Sequence, residues 1–234
     1  MYFVGSGALL ERAVKYTIKN DYRIDLVLLQ SPGSIEKILL DSKIPYIISH
    51  RVNSDLQSIL DSSVPSIIFL LNCNTIIDDN LLLTHHSFFN IHNGLVQFYR
   101  GIAEVCVFSA ICNGEKEYGA TLQKLSPFDL IDSGQIVAQR RFPISENESF
   151  YTIFTSSLKN CEYLFRENLE QIVLNRFNQV SPNVLGKLYS FEDVKAVAKG
   201  TNPKLLKKAC NLGPLSRYLP KLVEQLDDTY SISD

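Results

Sequence analysis

The chain has 234 residues, 45% hydrophobic and 21% charged, with a formal net charge of −2. This length is enough to bury a full core, and the composition excludes disorder over most of the chain. A near-neutral charge balance offers no basic face to a dedicated nucleic-acid binder, and no apolar run reaches the roughly 18–20 residues of a membrane span.

In chain order, Tyr2 to Val4 reads as a strand and Ala8 to Lys19 as a helix. No basic n-region precedes them, so no secretory signal is expected. Ile24 to Leu29 is strand-like, and after Ser31-Pro32-Gly33 comes a helical Ile35 to Leu40. Ile44 to Ile48 and Pro65 to Leu71 read as strands around a helical Asp55 to Leu60, and Phe88 to His92 follows a helical turn at Asp79 to Leu83. Strand–helix alternation of this kind predicts an α/β fold, a Rossmann-like, mostly parallel sheet with helices on both faces. Ligands of such sheets bind beyond the carboxyl ends of the strands.

Gly101 to Cys112 has helical spacing and ends at Asn113-Gly114, a C-cap pair. Gly119 to Leu125 and Gln135 to Phe142 read as strands around the loop Ser126 to Gly134. Apolar residues from Phe150 to Phe177 recur at helical spacing and predict one long packing helix. Ser181-Pro182-Asn183 breaks that pattern. Residues 1–180 are therefore expected as the main domain and 181–234 as a small, mainly helical region. Its helical pieces lie around Phe191 to Ala198, Lys204 to Ala209 and Leu219 to Leu226, with Asp227 to Asp234 frayed.

Five cysteines (Cys73, Cys106, Cys112, Cys161, Cys210) show no C-x-x-C pairing. Reduced thiols in a cytoplasmic protein are expected, and no metal site. His85-His86 are expected as solvated surface, and so is the basic face of Lys204, Lys207 and Lys208. Arg140-Arg141 close a strand and carry no assigned role.

Three segments can carry chemistry. Gly5-Ser6-Gly7 joins a strand to a helix, where backbone N–H groups and a helix N-terminus favour an anion; a tight structural turn is an equal reading, and the third glycine of a dinucleotide fingerprint is absent. Asn90 and His92 are two apart on a strand and point to one side. A carboxamide and an imidazole there suit acyl transfer, one donating to a developing oxyanion and the other managing protons. The loop holding Asp129 and Asp132 offers a carboxylate to hold a histidine.

Asn90-Ile91-His92, Tyr99-Arg100-Gly101, Asn113-Gly114-Glu115-Lys116-Glu117-Tyr118-Gly119 and Asp132-Ser133-Gly134 together resemble the folate-dependent formyltransferases. That family includes the methionyl-tRNA, glycinamide ribonucleotide and sugar N-formyltransferases. The resemblance runs from about Phe89 to Val137. It implies a catalytic trio of Asn90, His92 and Asp132 and N10-formyltetrahydrofolate as formyl donor. It implies that the pterin is gripped mainly by backbone groups of Cys73, Asn74 and Ile76, and of Pro127 and Asp129. Tyr99, Arg100 and Glu104 lie near the proposed centre and are expected to contact the acceptor, with Gly5 and Ser6 as further substrate contacts. For Glu104, a first-turn carboxylate on the helix dipole is the competing reading. The sequence departs from the family pattern at Gly94, where serine is usual, and at Gln97, where proline is usual.

The acidic balance and the short region after Ser181 point away from tRNA. In layout the chain is most similar to the sugar N-formyltransferases, which implies a nucleotide-linked amino sugar as acceptor and a homodimer. An amino-acid or peptide-type amine is the next expectation. A formyltetrahydrofolate hydrolase and a non-catalytic folate-binding module are the others.

Overall fold

Short runs such as Phe3-Val4 and Leu26 to Leu29 are apolar at successive positions, which suits strands covered by helices on both faces. The computed structural model describes residues 1–61 and 63–230, with side chains as far as residue 227. In it these runs form β1 (Tyr2–Gly5), β2 (Leu26–Leu29), β3 (Tyr46–Ile48), β4 (Ile67–Leu71) and β5 (Ser87–His92). Between them lie α1 (Gly7–Lys19), α2 (Ile35–Asp41), α3 (Val52–Ile59) and α4 (Asp79–Leu82). There follow β6 (Tyr99–Gly101), α5 (Ala103–Cys112), β7 (Glu117–Lys124), β8 (Gln135–Pro143) and α6 (Phe150–Val173). The chain continues through β9 (Lys187–Tyr189), α7 (Asp193–Lys199), α8 (Pro203–Ala209), a 3-10 helix (Gly213–Tyr218) and α9 (Pro220–Tyr230).

The main sheet has the order β3-β2-β1-β4-β5-β7-β8. The first five strands pair in parallel, so the expected mostly parallel α/β sheet is the observed one. Contacts divide the chain into two compact units. The first comprises Met1–Ile91, Leu122–Ala138 and Cys161–Ser181; the second comprises His92–Thr121, Gln139–Asn160 and Pro182–Asp234.

In the first unit, register places Phe3 beside Phe69 and Phe69 beside Phe89, with ring centroids 5.6 Å apart in each pair. Phe165 of α6 packs on Phe3 and Phe69. The alternate residues Val4, Leu28, Ile68, Leu70 and Phe88 face the other way, onto Val52 and Leu56 of α3 and Leu81 of α4. Each buried aromatic or branched side chain here contributes roughly 1.5–3 kcal/mol of transfer free energy.

In the second unit, Val105 and Phe108 of α5 share one core with Phe150, Ile153, Val194, Ala198, Ala209 and Leu222. The tail from residue 182 to residue 227 completes the core around α5, because its helices are too short to bury their apolar faces alone.

Other boundaries also moved. Tyr99–Gly101 is a strand paired in parallel with Lys187–Tyr189, a partner some 88 residues away that no local pattern announces. The long helix stops at Val173, and Phe177 beyond it packs edge-on against Phe89. The terminal helix runs to Tyr230, so residues 227–230 are helical rather than frayed, and the rest of that expectation lies outside the described residues.

Gly5 is the most crowded glycine of the first unit. Its φ is +146°, and a Cβ there would stand 1.9 Å from the Leu71 carbonyl oxygen. Replacing Gly5 by alanine is expected to cost at least ~3 kcal/mol of stability, measured by urea denaturation. A loss below ~1 kcal/mol would mean that β1 and β4 can part at little cost.

Candidate functional site

In the order β3-β2-β1-β4-β5, winding reverses between β1 and β4, and the carboxyl ends at such a point form a ligand-binding crevice. Gly5 and Ser6 lie there. The Ser6 N–H donates to Leu71 O at 3.3 Å. Asn72, whose φ of +52° suits an asparagine, donates to Ser6 O at 3.3 Å and Ser6 Oγ at 3.2 Å. The glycine and the serine amide thus join β1 to β4.

The segment after β4 is pinned by side chains. Gln30 accepts from the Asn74 N–H at 2.8 Å and donates to Thr75 Oγ1 at 2.9 Å. Asn53 donates to Ile76 O at 2.9 Å. The Cys73 thiol donates to Thr75 O at 3.7 Å, and burial pushes its pKa up, which makes it a poor nucleophile. The Ile76 side chain is 69% exposed.

The loop between β7 and β8, with Pro127 half-buried in it, is pinned likewise. The Phe128 N–H donates to Asp79 Oδ1 at 2.7 Å, holding a bulky residue at a φ of +64°. Asp129 accepts from the Ser126 N–H at 2.8 Å. Burial, with the Asp79 carboxylate as a smaller cause, raises the Asp129 pKa above the ordinary range. Asp129 therefore shapes its own turn. Phe128 and Leu130 are 76% and 65% exposed, so this loop and Ile76 present apolar side chains outward. Gln30, Asn53 and Asp79 were passed over in the sequence. A polar residue directly after an apolar strand, as at Gln30, was the available signal.

Asp132 ends the loop in the left-handed region, with φ at +51°. Its Oδ1 accepts from Asn90 Nδ2 at 3.2 Å and from Gln123 Nε2 at 3.4 Å. A carboxylate can only accept, so the nitrogen side of the Asn90 amide must face it. Gln123, on β7, is fully buried, and its Oε1 has no hydrogen-bond partner. It too escaped the sequence reading, where it was one polar residue in a strand. Asn90 and Asp132, 42 residues apart in sequence, are thus joined by a direct hydrogen bond.

His92, two residues past Asn90 on β5, is buried, and its Nε2 lies 2.9 Å from the Tyr99 carbonyl. A carbonyl also only accepts, so Nε2 carries the hydrogen.

A family model for formyl transferases matches residues 25–166, more than half of the chain. The chain belongs to the formyl transferase family. It is 24% identical over 153 residues to a methionyl-tRNA formyltransferase of Listeria innocua, which covers 64% of this chain and 48% of that protein. The chain spans about half the length of the curated relatives it matches. A 4-N formyltransferase from Francisella tularensis superposes with a TM-score of 0.74 at 22% identity, covering 91% of this chain and 88% of that one. An N-formyltransferase from Helicobacter canadensis, solved with folinic acid and dTDP-3-aminofucose, superposes with a TM-score of 0.67 at 22% identity, covering 82% and 71%. These likenesses establish the same fold.

Two formyl transferase motifs turn out to join each other. The Tyr99 hydroxyl donates to Glu115 Oε1 at 2.8 Å and accepts from Asn113 Nδ2 at 3.0 Å. Its ring is buried, and burial drives the phenol pKa far up. Tyr99 clamps Y-R-G to N-G-E-K and offers its carbonyl to His92. Arg100 Nε donates to Gly186 O at 2.8 Å, which ties β6 to the chain before β9. Glu104 lies in the first turn of α5, where burial raises its pKa while its own N–H and Lys221 pull the other way. Its surroundings fit the first-turn carboxylate better than an acceptor contact. His86, expected on the surface, is buried and accepts from the Ser66 N–H at 3.2 Å. Among the described residues no cluster of His, Cys, Asp or Glu side chains is gathered as a metal site, and no helix is long and apolar enough to cross a membrane.

Tyr99→Phe leaves Glu115 and Asn113 short of a partner and is expected to cost about 1–3 kcal/mol in denaturant melts. Glu104→Gln is expected to raise the melting temperature at neutral pH by ~1–3 °C. With the folded-state pKa raised, ionisation opposes folding; below about pH 4 the carboxyl is protonated in both states and the difference should vanish.

Proposed function

We propose that the protein transfers a formyl group from N10-formyltetrahydrofolate to a primary amine, that of a nucleotide-linked amino sugar. Membership of the formyl transferase family supports the reaction type. The Asn90–Asp132 hydrogen bond carries the site, because it turns an amide nitrogen into a fixed donor beside a carboxylate at the end of β5.

The formyl donor supplies an activated one-carbon acyl group whose transfer puts negative charge on the formyl oxygen. Asn90 directs one Nδ2 hydrogen to Asp132 and keeps the other for that oxygen. His92, protonated, adds a second donor and then returns its proton to the departing nitrogen. Asp132 takes the proton of the attacking amine, which must arrive neutral. The outward apolar side chains of Ile76, Phe128 and Leu130, on the two segments expected to hold the pterin, suit an aromatic donor.

For the acceptor, support comes from solved neighbours described as sugar N-formyltransferases and from the N-formyltransferase that holds dTDP-3-aminofucose. The methionyl-tRNA relatives support formyl transfer to an amine but share only about half their length with this chain. A cytoplasmic homodimer belongs to the same reading, and all five cysteines are thiols.

The test is to incubate the protein with N10-formyltetrahydrofolate and dTDP-linked amino sugars, free amino acids, methionyl-tRNA or no acceptor. Tetrahydrofolate release only with an amino sugar is expected. Release without an amine would replace transfer by hydrolysis, and no release with any acceptor would leave a folate-binding module. Asn90→Ala, His92→Ala and Asp132→Asn should each lower kcat about 10²–10³-fold with the circular dichroism spectrum unchanged. Normal turnover in any of them removes that residue from the mechanism.

A further inference from the structure

Gly94 stands directly against His92. A Cβ built on Gly94 would lie 2.5 Å from His92 Nε2 and 2.8 Å from Tyr99 O, the two ends of the His92–Tyr99 hydrogen bond. Neither distance is tolerable for a carbon, so the imidazole occupies volume that any side chain at position 94 needs.

The backbone cannot move aside cheaply. Thr121 Oγ1 donates to Gly94 O at 2.7 Å and accepts from Gln139 Nε2 at 2.8 Å. The Tyr118 hydroxyl donates to Asn93 O at 2.8 Å, and Ser157 Oγ donates to Asn93 Oδ1. On the other side, Tyr99 is held by Glu115 and Asn113. With Gly94 and Tyr99 both held, a side chain at position 94 displaces the imidazole, and displacement breaks its bond to the carbonyl.

We propose that Gly94 is a positioning residue, whose bare Cα admits the His92 ring to the Tyr99 carbonyl and thereby fixes Nε2 as the hydrogen-bearing atom. The residue acts through His92 and touches no substrate. Its effect on rate rests on the function proposed above, whereas its effect on the ring does not.

The experiment separates the two. In protein labelled with ¹⁵N-histidine, a buried imidazole N–H bonded to a carbonyl gives a slowly exchanging proton signal, assigned as the one absent in His92→Ala. Gly94→Ala and Gly94→Ser, which keep the histidine, are expected to lose that signal while the other three histidines are unchanged. Persistence of the signal in both variants, or its absence from the wild type, overturns the proposal. Gly94→Ala should also destabilise the wild type more than it destabilises His92→Ala, because removing the ring vacates the contested volume. If Gly94→Ala alone does not fold, folding of the double variant supports the proposal. Equal costs in both backgrounds, or failure of both proteins to fold, overturn it. In the amine-dependent assay, Gly94→Ala should lower kcat about tenfold or more with KM for the formyl donor nearly unchanged. A lost imidazole signal with an unchanged kcat would retain Gly94 as the positioner and overturn the catalytic role of His92 instead.

Discussion

A carboxylate and a backbone carbonyl accept hydrogen bonds and cannot give them, and the two polar side chains at the end of β5 each meet one of these groups. Asp132 takes the Asn90 amide by its nitrogen, and the Tyr99 carbonyl takes the His92 ring by Nε2. An amide that could face either way and a ring with two tautomers are each reduced to one state. That single-state condition is what a donor aimed at a developing oxyanion requires, since a donor that must reorient during reaction loses most of its effect.

The matched motifs divide by physical role. N-x-H and D-S-G bring together groups that donate and accept at one end of the sheet. Y-R-G and N-G-E-K hold each other, through a buried tyrosine hydroxyl shared between Glu115 and Asn113. The second pair matters to the first because Tyr99 lends its main chain to His92. A tyrosine adjacent to an arginine near a proposed centre invites a reading as substrate contact, but a phenol with both hydrogen-bonding directions used inside a core is a fastener.

The two apolar-faced segments beyond β4 and β7 follow one construction. Each is irregular backbone held by a side chain from a neighbouring element, Gln30 and Asn53 for one and Asp79 for the other. Exposed Ile76 and Phe128 would otherwise sit on loops free to collapse inward. Fixing the backbone from behind keeps them turned out, which would reduce the ordering cost of binding the proposed formyl donor.

The local sequence determined the five parallel strands, the long helix and the alternation of Asn90 with His92, because these follow from apolar runs and the two-residue repeat of a strand. It also determined the family, through motifs whose residue types and spacings survive wherever the chain places them. Only the tertiary structure decided that β6 pairs with β9, that the tail completes the core of α5, that Tyr99 is a clamp, and that Gln123 stands behind Asp132. Those facts depend on which distant residues meet, and a hydrogen bond or a packed face between residues tens of positions apart leaves no periodic mark on either segment.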